Sequence, residues 1–373
     1  MPRRDQRSFA IESLLYGQRV PYEQLRSICE TLLLGDTLEL RIKLLLTQAR
    51  IVDALTEGRH PRKHVSFRRV SPQQVSGELS VTFGRTQRRT VEGEFTIIKH
   101  PRHPALWLLV TDARGEFLEQ LLMKGMRTLH PQPSNPIFRT EQLEEVLKKF
   151  ASNREVEDIQ VRLMGTKSRL PSEDTQPTME TDRRWTRRPI EEVFEQAHEQ
   201  DAWITDIAVD YRLSNRGSAR GYLSVGRWGE YRIRHYASVA FDLIEATCQM
   251  AAERYQFLLN RARTRATQYR SRPFVIDFSF PMLNNVDDIK RLHGAVTTLP
   301  NTASVVIHGN PFYHVAVTDY ADGSMFEVVS FSPTYLAVIP QGRATVRSLT
   351  ALCSAVFANF QEGALKEVDD ALR

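Results

Sequence analysis

The first hydrophobic residues of the chain recur every three or four positions. This spacing predicts a helix that begins after Pro21 and buries one face. The residues on that face are Leu25, Ile28, Cys29 and Leu32. A second helix is predicted from Leu38 to Thr56, where apolar residues lie on more than one side. Such a helix is typically buried between two layers or binds a partner protein.

From His64 onward hydrophobic and polar residues alternate, as they do in strands whose two faces differ. The strands predicted in this part are Val65 to Val70, Glu78 to Phe83, Val91 to Lys99 and Leu106 to Thr111. Amphipathic helices are predicted from Phe117 to Met126 and from Thr140 to Phe150. Gly165 to Pro189 is poor in apolar residues and rich in Pro, Ser, Thr and charge, which predicts a loop or linker.

Strands followed by a long helix recur in the rest of the chain. The strands predicted in the middle part are Asp158 to Leu163, Trp203 to Leu213, Gly221 to Val225 and Tyr231 to His235. Those predicted in the last part are Phe274 to Phe280, Ser304 to His308, His314 to Thr318, Met325 to Ser330 and Tyr335 to Ile339. With helices at Val286 to Val296 and around Leu349, the last part has the order β-α-β-β-β-β-α.

These patterns predict an α+β fold, with an N-terminal helical module followed by antiparallel sheets packed on long helices. The predicted domain organisation is 1–58 helical module, 59–164 antiparallel meander plus helices, 165–189 linker, 190–272 sheet plus long helix and 273–373 β-α-β4-α unit. In an alternative organisation, 157–373 forms one domain of two repeats, since the middle part has nearly the same element order.

The order β-α-β-β-β-β-α resembles half of a TATA-binding-protein-like fold or a helix-grip domain, in which a curved antiparallel sheet wraps a long helix. The N-terminal helices followed by a meander also resemble kinetochore proteins of the centromere-protein-N type. Both resemblances rest on element order and on no motif. They therefore imply a fold and assign no functional residue.

The apolar runs and the cysteines indicate the compartment. The longest apolar runs, such as Ala105 to Val110, are far shorter than the roughly 20 residues that span a bilayer. No apolar segment of signal-peptide length follows the first arginines, so we expect a cytoplasmic protein without membrane contact. Cys29, Cys248 and Cys353 lie far apart and lack C-x-x-C spacing, which predicts buried free thiols in a reducing compartment.

Arginine dominates the basic residues. Of the 50 lysines and arginines, 41 are arginines, and the formal net charge is +5. The planar guanidinium suits phosphates, guanine edges and stacking on bases, so a nucleic-acid-binding surface would use such a surplus. A GC-rich genome that encodes arginine in place of lysine is the alternative explanation, and only clustering of the arginines separates the two.

Two clusters of basic residues favour the nucleic-acid interpretation. Arg232 and Arg234 are two apart on a predicted strand, so they point to the same side of a sheet. The predicted binding residues of the middle part are Arg183, Arg184, Arg187, Arg188, Arg212, Arg216, Arg220, Arg227, Trp228, Arg232 and Arg234, and those of the first meander are Arg62, Lys63, Arg68 and Arg69. Alternatively these arginines form a solvated face, or pair across strands with acids such as Asp206 and Asp210.

The chain lacks the common motifs of phosphate-binding loops, dinucleotide folds, serine hydrolases and zinc peptidases. One group of histidines and acids in the last part has side chains suited to acid–base chemistry or to a divalent ion. It comprises His308, Asn310, His314, Asp319, Asp322 and Glu327. Turn formation and ordinary strand polarity explain the same residues. We therefore assign no catalytic residue, metal or cofactor.

The sequence thus predicts a non-catalytic, nucleic-acid-binding subunit of a larger assembly, with DNA or RNA as its partner. A protein partner or a second copy is expected to bind the N-terminal helices. Two alternatives remain open. The chain is a protein scaffold that docks through the helix predicted from Leu38 to Thr56. Or it is a ligand-binding or hydrolytic enzyme centred on His308, His314 and Asp319.

Overall fold

The computed structural model of the 373-residue chain describes two compact units. The residues it describes are 18–34, 39–57, 65–83, 89–113, 115–121, 126, 129, 132–168, 181–200, 202–214, 220–263, 271–278, 281–309 and 312–368. Unit 1 comprises Met1–Ser168 and Glu180–Ala252, and unit 2 comprises Arg169–Met179 and Glu253–Arg373. Each unit combines helices with an antiparallel sheet, which confirms the predicted α+β class.

The sheet of unit 1 has ten strands. They are β1 (Glu39–Leu46), β2 (Val65–Ser71), β3 (Gln74–Phe83), β4 (Arg89–Lys99), β5 (Leu106–Thr111), β6 (Val156–Ser168), β7 (Thr181–Arg188), β8 (Ala202–Leu213), β9 (Arg220–Gly226) and β10 (Glu230–Arg234). Their order across the sheet is β2-β3-β4-β5-β1-β10-β9-β8-β6-β7, and every neighbouring pair is antiparallel. The N-terminal meander and the middle strands, which the sequence placed in separate domains, therefore share one sheet.

The helices of unit 1 lie on both faces of this sheet. They are α1 (Tyr22–Leu33), α2 (Ile51–Glu57), α3 (Gly115–Gln120), α4 (Thr140–Ala151), α5 (Ile190–Glu199) and the first part of α6 (Ser238–Leu259). On one face, Leu45 and the meander strands enclose an apolar core with Ile51 of α2 and Phe117 of α3. On the opposite face, the Tyr231 hydroxyl of β10 lies 2.6 Å from the Thr247 hydroxyl of α6.

The helix predicted from Leu38 to Thr56 is wrong over its first half. Residues Glu39–Leu46 form β1, the strand that joins the meander to the middle strands, and only Ile51–Glu57 is helical. All residues from Ile42 to Leu46 are buried, because both faces of a central strand are covered. Such an apolar run fits a helix and a buried strand equally well. Since it lies inside the sheet, this segment does not form the predicted docking helix.

The predicted loop from Gly165 to Pro189 is also partly wrong. The end of β6 and the whole of β7 fall within it, and residues 169–180 lie outside the described part of the chain. β7 is one of the two edge strands of the sheet among the described strands. Edge strands carry charged residues and lack the apolar alternation of an inner strand, so the composition predicted a loop.

The described residues of unit 2 form a sheet of six strands and two complete helices. These elements are β11 (Phe274–Asp277), α7 (Val286–Thr297), β12 (Thr302–His308), β13 (Tyr313–Asp319), β14 (Ser324–Ser332), β15 (Tyr335–Pro340), α8 (Val346–Asn359) and β16 (Ala364–Glu367). The sheet order is β12-β13-β14-β15-β11-β16, all antiparallel, and α7 packs against α8. The predicted strands and helices of this part are present, whereas β16 was not predicted.

Side-chain caps define the starts of both helices of unit 2. Asn285 accepts a hydrogen bond from the Asp288 N–H (2.9 Å) at the start of α7, and Thr345 accepts one from the Ser348 N–H (3.2 Å) at the start of α8. None of the helices within the described residues is long and apolar enough to cross a membrane. The three cysteines are free and buried, as predicted.

Candidate nucleic-acid interface

Arg232 and Arg234 lie on one exposed face of β10. Both are exposed, whereas Ile233 between them and Tyr231 before them are buried. The alternation along the strand thus places the two guanidinium groups on the same side of the sheet, as predicted. This side is continuous with the apolar core of the meander, because Leu45 on β1 shares the face of Arg41 and Lys43.

The neighbouring strand β1 presents charged residues opposite those of β10. Lys43 pairs with Glu230, Arg41 with Arg232 and Glu39 with Arg234, as judged by their Cα partners in the ladder. The outer two pairs join opposite charges. The middle pair places two arginines directly across from one another, and like charges in such positions destabilise a sheet when nothing compensates them.

Arg41 is the most enclosed guanidinium of this group, with 14% of its side chain exposed. Burial lowers its pKa, Glu39 raises it, and the charges of Arg232 and Arg234 lower it again. The positive charges of Arg232 and Arg234 therefore both act on Arg41, and one carboxylate beside it opposes them.

Glu39 is that carboxylate. It forms ion pairs with both Arg41 and Arg234, the latter also through a 2.8 Å hydrogen bond from Nε. The side chain of Arg232 has no hydrogen bond or ion pair with any other described residue. Arg232 is therefore the exposed cation of this ladder that is left for an external anion.

Tyr222 on β9 extends the surface beyond β10. The Arg234 guanidinium lies 4.8 Å from the centre of its ring, and the Arg162 guanidinium of β6 lies 5.8 Å from it. Arg162 in turn is 3.7 Å from Asp210 on β8. We call Arg41, Arg162, Tyr222, Arg232 and Arg234 the arginine face. It combines cations with one aromatic ring, the combination that binds phosphates and stacked bases.

Other predicted binding residues on this side of the sheet are partly neutralised. Arg212 forms a 3.0 Å ion pair with Asp158, and Arg220 is exposed directly across the ladder from Arg212. On the first meander, Arg69 pairs with Asp53 at 3.1 Å, whereas Arg68 is exposed. Cross-strand pairing with acids, the alternative explanation for the basic clusters, thus accounts for some of these arginines.

Arg227 does not lie on the surface, contrary to its place among the predicted binding residues. Its residue exposure is 1%, and its guanidinium lies 6.0 Å from the Trp203 ring and 5.8 Å from the Trp228 ring. Trp228 is half-buried, and its carbonyl accepts a hydrogen bond from Lys43. Both residues belong to the turn between β9 and β10, where the Arg227 N–H donates to the Thr205 carbonyl (2.9 Å) and the Arg227 carbonyl accepts from the Phe138 N–H (2.7 Å).

The remaining predicted residues divide between β7 and undescribed segments. Arg187 and Arg188 are exposed at the end of β7. Arg183 and Arg184 also belong to β7, but their side chains lie outside the described part of the structure. Arg62, Lys63 and Arg216 lie wholly outside it.

Sequence reasoning missed Arg41, Arg162 and Tyr222. Arg41 was assigned to a helix, and its neighbour in the ladder, Arg232, lies 191 positions later in the chain. No periodicity within a strand reveals which distant strand pairs with it. The alternation of Arg41 and Lys43 with Ile42 and Leu44 was the one available signal for a strand.

The group of histidines and acids in unit 2 does not form the predicted site. The rings of His308 and His314 lie 6.4 Å apart, and His314 Nε2 is 3.0 Å from a Glu327 oxygen. Asp319 points to the opposite face of β13, where it is buried and accepts hydrogen bonds from Ser348 (2.6 Å) and Arg347 (3.0 Å). Residues five apart on a strand face opposite sides, so His314 and Asp319 cannot act together.

No three His, Cys, Asp or Glu side chains in the described part of the chain are placed to hold a metal ion. Asn310 lies outside that part, and Asp322 belongs to the hydrogen-bond network at the start of α8. No family model matches the chain, and no curated protein matches its sequence.

Proposed function

We propose that the protein binds nucleic acid through the arginine face of unit 1. The observation that carries this proposal is the pairing of Arg41 with Arg232 across adjacent strands. Arg234 lies two residues further on, and no acid pairs with Arg232 among the described residues. A phosphate group between Arg41 and Arg232 would relieve their repulsion. Phosphate binding would thus add to the compensation from Glu39, which pairs with Arg41 and Arg234 but not with Arg232.

The aromatic ring supports a polynucleotide rather than a small anion as the ligand. Tyr222 lies between Arg234 and Arg162, so a chain of phosphates can follow the guanidinium groups while a base approaches the tyrosine. In this mechanism the arginines supply affinity by releasing counterions, and the ligand is DNA or RNA with little dependence on base sequence.

The test is fluorescence-anisotropy binding to labelled single-stranded and double-stranded DNA and RNA over a salt series. Wild type is compared with Arg232→Gln and with Arg343→Gln as the matched control. Arg343 is an exposed arginine of unit 2 whose side chain has no partner among the described residues, so both variants remove one positive charge. Loss of one phosphate contact should reduce the slope of log K against log salt by about 0.7 to 0.9 in Arg232→Gln only.

Three outcomes oppose the proposal. Binding that is insensitive to salt would exclude phosphate neutralisation as the source of affinity. An equal effect of Arg232→Gln and Arg343→Gln would show dependence on net charge rather than on the arginine face. Absence of binding to any of the four probes at low salt would leave genomic base composition as the explanation for the arginine surplus.

For unit 2 we further propose the TATA-binding-protein-like or helix-grip description. The order β11-α7-β12-β13-β14-β15-α8 and the sheet order β12-β13-β14-β15-β11 support it, since the first strand pairs with the last strand of the following meander. The role as a cytoplasmic, non-catalytic subunit of a larger assembly also remains a proposal. It is supported by the free, buried cysteines and by the separation of His314 from Asp319.

A further inference from the structure

The edge strand β12 of unit 2 exposes apolar side chains on both of its faces. Val305 is 65% exposed, Val306 48% and Ile307 47%. β12 stands at the end of the sheet order and pairs only with β13 among the described strands. Within the described residues, no strand pairs with the outer row of backbone N–H and C=O groups of β12, which can therefore pair with another strand.

The neighbouring turn enlarges this apolar surface. Phe312 is 53% exposed and Phe331 63% exposed. Phe312 precedes Tyr313 and Phe331 follows Ser330, and the Cα atoms of Tyr313 and Ser330 are partners across β13 and β14. The two aromatic residues thus extend the surface from the end of β12 onto the next strands. Exposed apolar side chains grouped on neighbouring strands in this way are typical of an interaction site.

Charge is absent from this part of the sequence. Residues 292–318 contain no Asp, Glu, Lys or Arg, although a quarter of all residues in the chain are charged. Natural edge strands usually carry a lysine, a proline or an inward-pointing charge that prevents pairing with other chains. β12 has none of these. Its ladder has one register shift, between Val306 and His308 at the end of the strand, so Thr302 to Val306 is regular and its sequence permits strand pairing.

We propose that β12 pairs antiparallel with β12 of a second copy of this chain. In such a pair each strand meets the same uncharged, β-branched sequence, so no charge is left unpaired and the valines pack against one another. The contact is two-fold symmetric and closes after two copies, which is the commonest form of protein assembly. It joins the two six-stranded sheets into one sheet of twelve strands.

A second copy fits this surface better than a charged partner does. A strand with Lys, Arg, Asp or Glu opposite residues 302–307 would find no counter-charge there and would lose solvation of its charge. The same absence of charge makes the strand complementary to itself. The proposal concerns unit 2 alone and does not depend on nucleic-acid binding by unit 1.

Sedimentation velocity of the full chain over a concentration series is the first test. We expect wild type to form a dimer of twice the 42.9-kDa chain mass, and Val305→Lys to be a monomer. Leu34→Lys is the matched control, because Leu34 is a 55% exposed leucine of unit 1 and the variant adds the same charge. It should dimerise like wild type. Far-UV circular dichroism of each variant checks that the fold is retained.

A wild type that stays monomeric at concentrations on the order of 100 µM would overturn the proposal. So would a dimer that survives Val305→Lys, or one that Leu34→Lys disrupts equally.

Disulfide trapping then tests the geometry: single cysteines at Ser304, Val305 and Val306 lie near the two-fold axis of the pairing. The native cysteines are all buried, so they give little background. We expect cross-linked dimers from at least one of these positions and none from Leu34→Cys, and the reverse result contradicts the pairing.

Discussion

The hydroxyl of Tyr22 donates a hydrogen bond to the carboxylate of Glu245, 223 residues later in the chain. This contact joins α1 to α6 within unit 1. The same carboxylate lies 3.3 Å from His100 Nε2 and accepts a hydrogen bond from Arg102 at 2.5 Å. His100 Nδ1 accepts the backbone N–H groups of Arg102 and His103, each at 3.2 Å, so Nε2 carries the proton that points at Glu245.

Removing the Tyr22 hydroxyl should therefore loosen α1. We expect Tyr22→Phe to lower the free energy of unfolding of unit 1 by about 1.5 to 3 kcal/mol, the usual effect of losing a hydrogen bond to a charged group. Tryptophan fluorescence during urea unfolding measures this, because Trp107, Trp185, Trp203 and Trp228 all belong to unit 1. Tyr320→Phe is the control, since Tyr320 is 69% exposed. Equal effects of the two variants would contradict the role of the contact.

The Glu245 carboxylate also predicts how stability depends on pH. Burial raises its pKa, but the hydrogen bonds from His100, Tyr22 and Arg102 outweigh burial and lower the pKa to about 2. A pKa depressed by folding stabilises the protein above the unfolded value near 4.5, and this stabilisation is lost as pH falls toward 2. The difference in unfolding free energy between wild type and Glu245→Gln should shrink by about 2 to 3 kcal/mol over that range. A difference that does not change with pH would contradict this.

The Lys43–Glu230 pair predicts an asymmetric response to mutation. Lys43 is 1% exposed and donates to Glu230 and to the Trp228 carbonyl, both at 2.8 Å, whereas the Glu230 side chain is 52% exposed. Burial lowers the pKa of Lys43, and Glu230 raises it. Glu230→Ala leaves a buried cation with one neutral partner and should cost about 3 kcal/mol. Lys43→Met leaves a solvated carboxylate and should cost about 1 kcal/mol or less. Urea unfolding followed by tryptophan fluorescence compares the loss of unfolding free energy in the two variants. A larger loss in Lys43→Met than in Glu230→Ala would refute the argument.

In unit 2, Asp319 and His314 should differ sharply in their effect on stability. Asp319→Ala removes the acceptor of Ser348 and Arg347 in a buried network, and should cost about 2 to 3 kcal/mol. His314→Ala removes a partly exposed contact with Glu327 and should cost less than about 1 kcal/mol. Differential scanning calorimetry of both variants tests this. A larger loss of thermal stability in His314→Ala would point to a structural role that its position does not explain.

The sequence predicted most elements of this fold because most of them have two unlike faces. α4 and β8 are amphipathic, and the predicted ranges agree with Thr140–Ala151 and Ala202–Leu213 to within a residue or so at each end. β1 and β7 were not predicted as strands, for opposite reasons. β1 is apolar on both faces because it is central, and β7 is polar because it lies at an edge.

The candidate site was predicted less completely than the fold. The common face of Arg232 and Arg234 follows from strand geometry alone, so local sequence was sufficient. The position of Arg41 depends on pairing between β1 and β10, which local sequence does not encode. Arg227 is buried near the rings of Trp203 and Trp228. Its burial could not be deduced from its neighbours in the chain, because Trp203 is distant in sequence.

The position of β1 between β5 and β10 also bears on how the chain folds during synthesis. β1 can pair with β5 soon after residues 106–111 are made, but Arg234 is 195 residues beyond its partner Glu39. Counted from Thr111 at the end of β5, Arg234 is 123 residues away, so at about 5 to 20 residues per second the ribosome needs roughly 6 to 25 s to supply β10. For that time the nascent meander carries an open, apolar strand edge. Chaperone binding to nascent chains and the solubility of fragments ending before β10 should both reflect that interval.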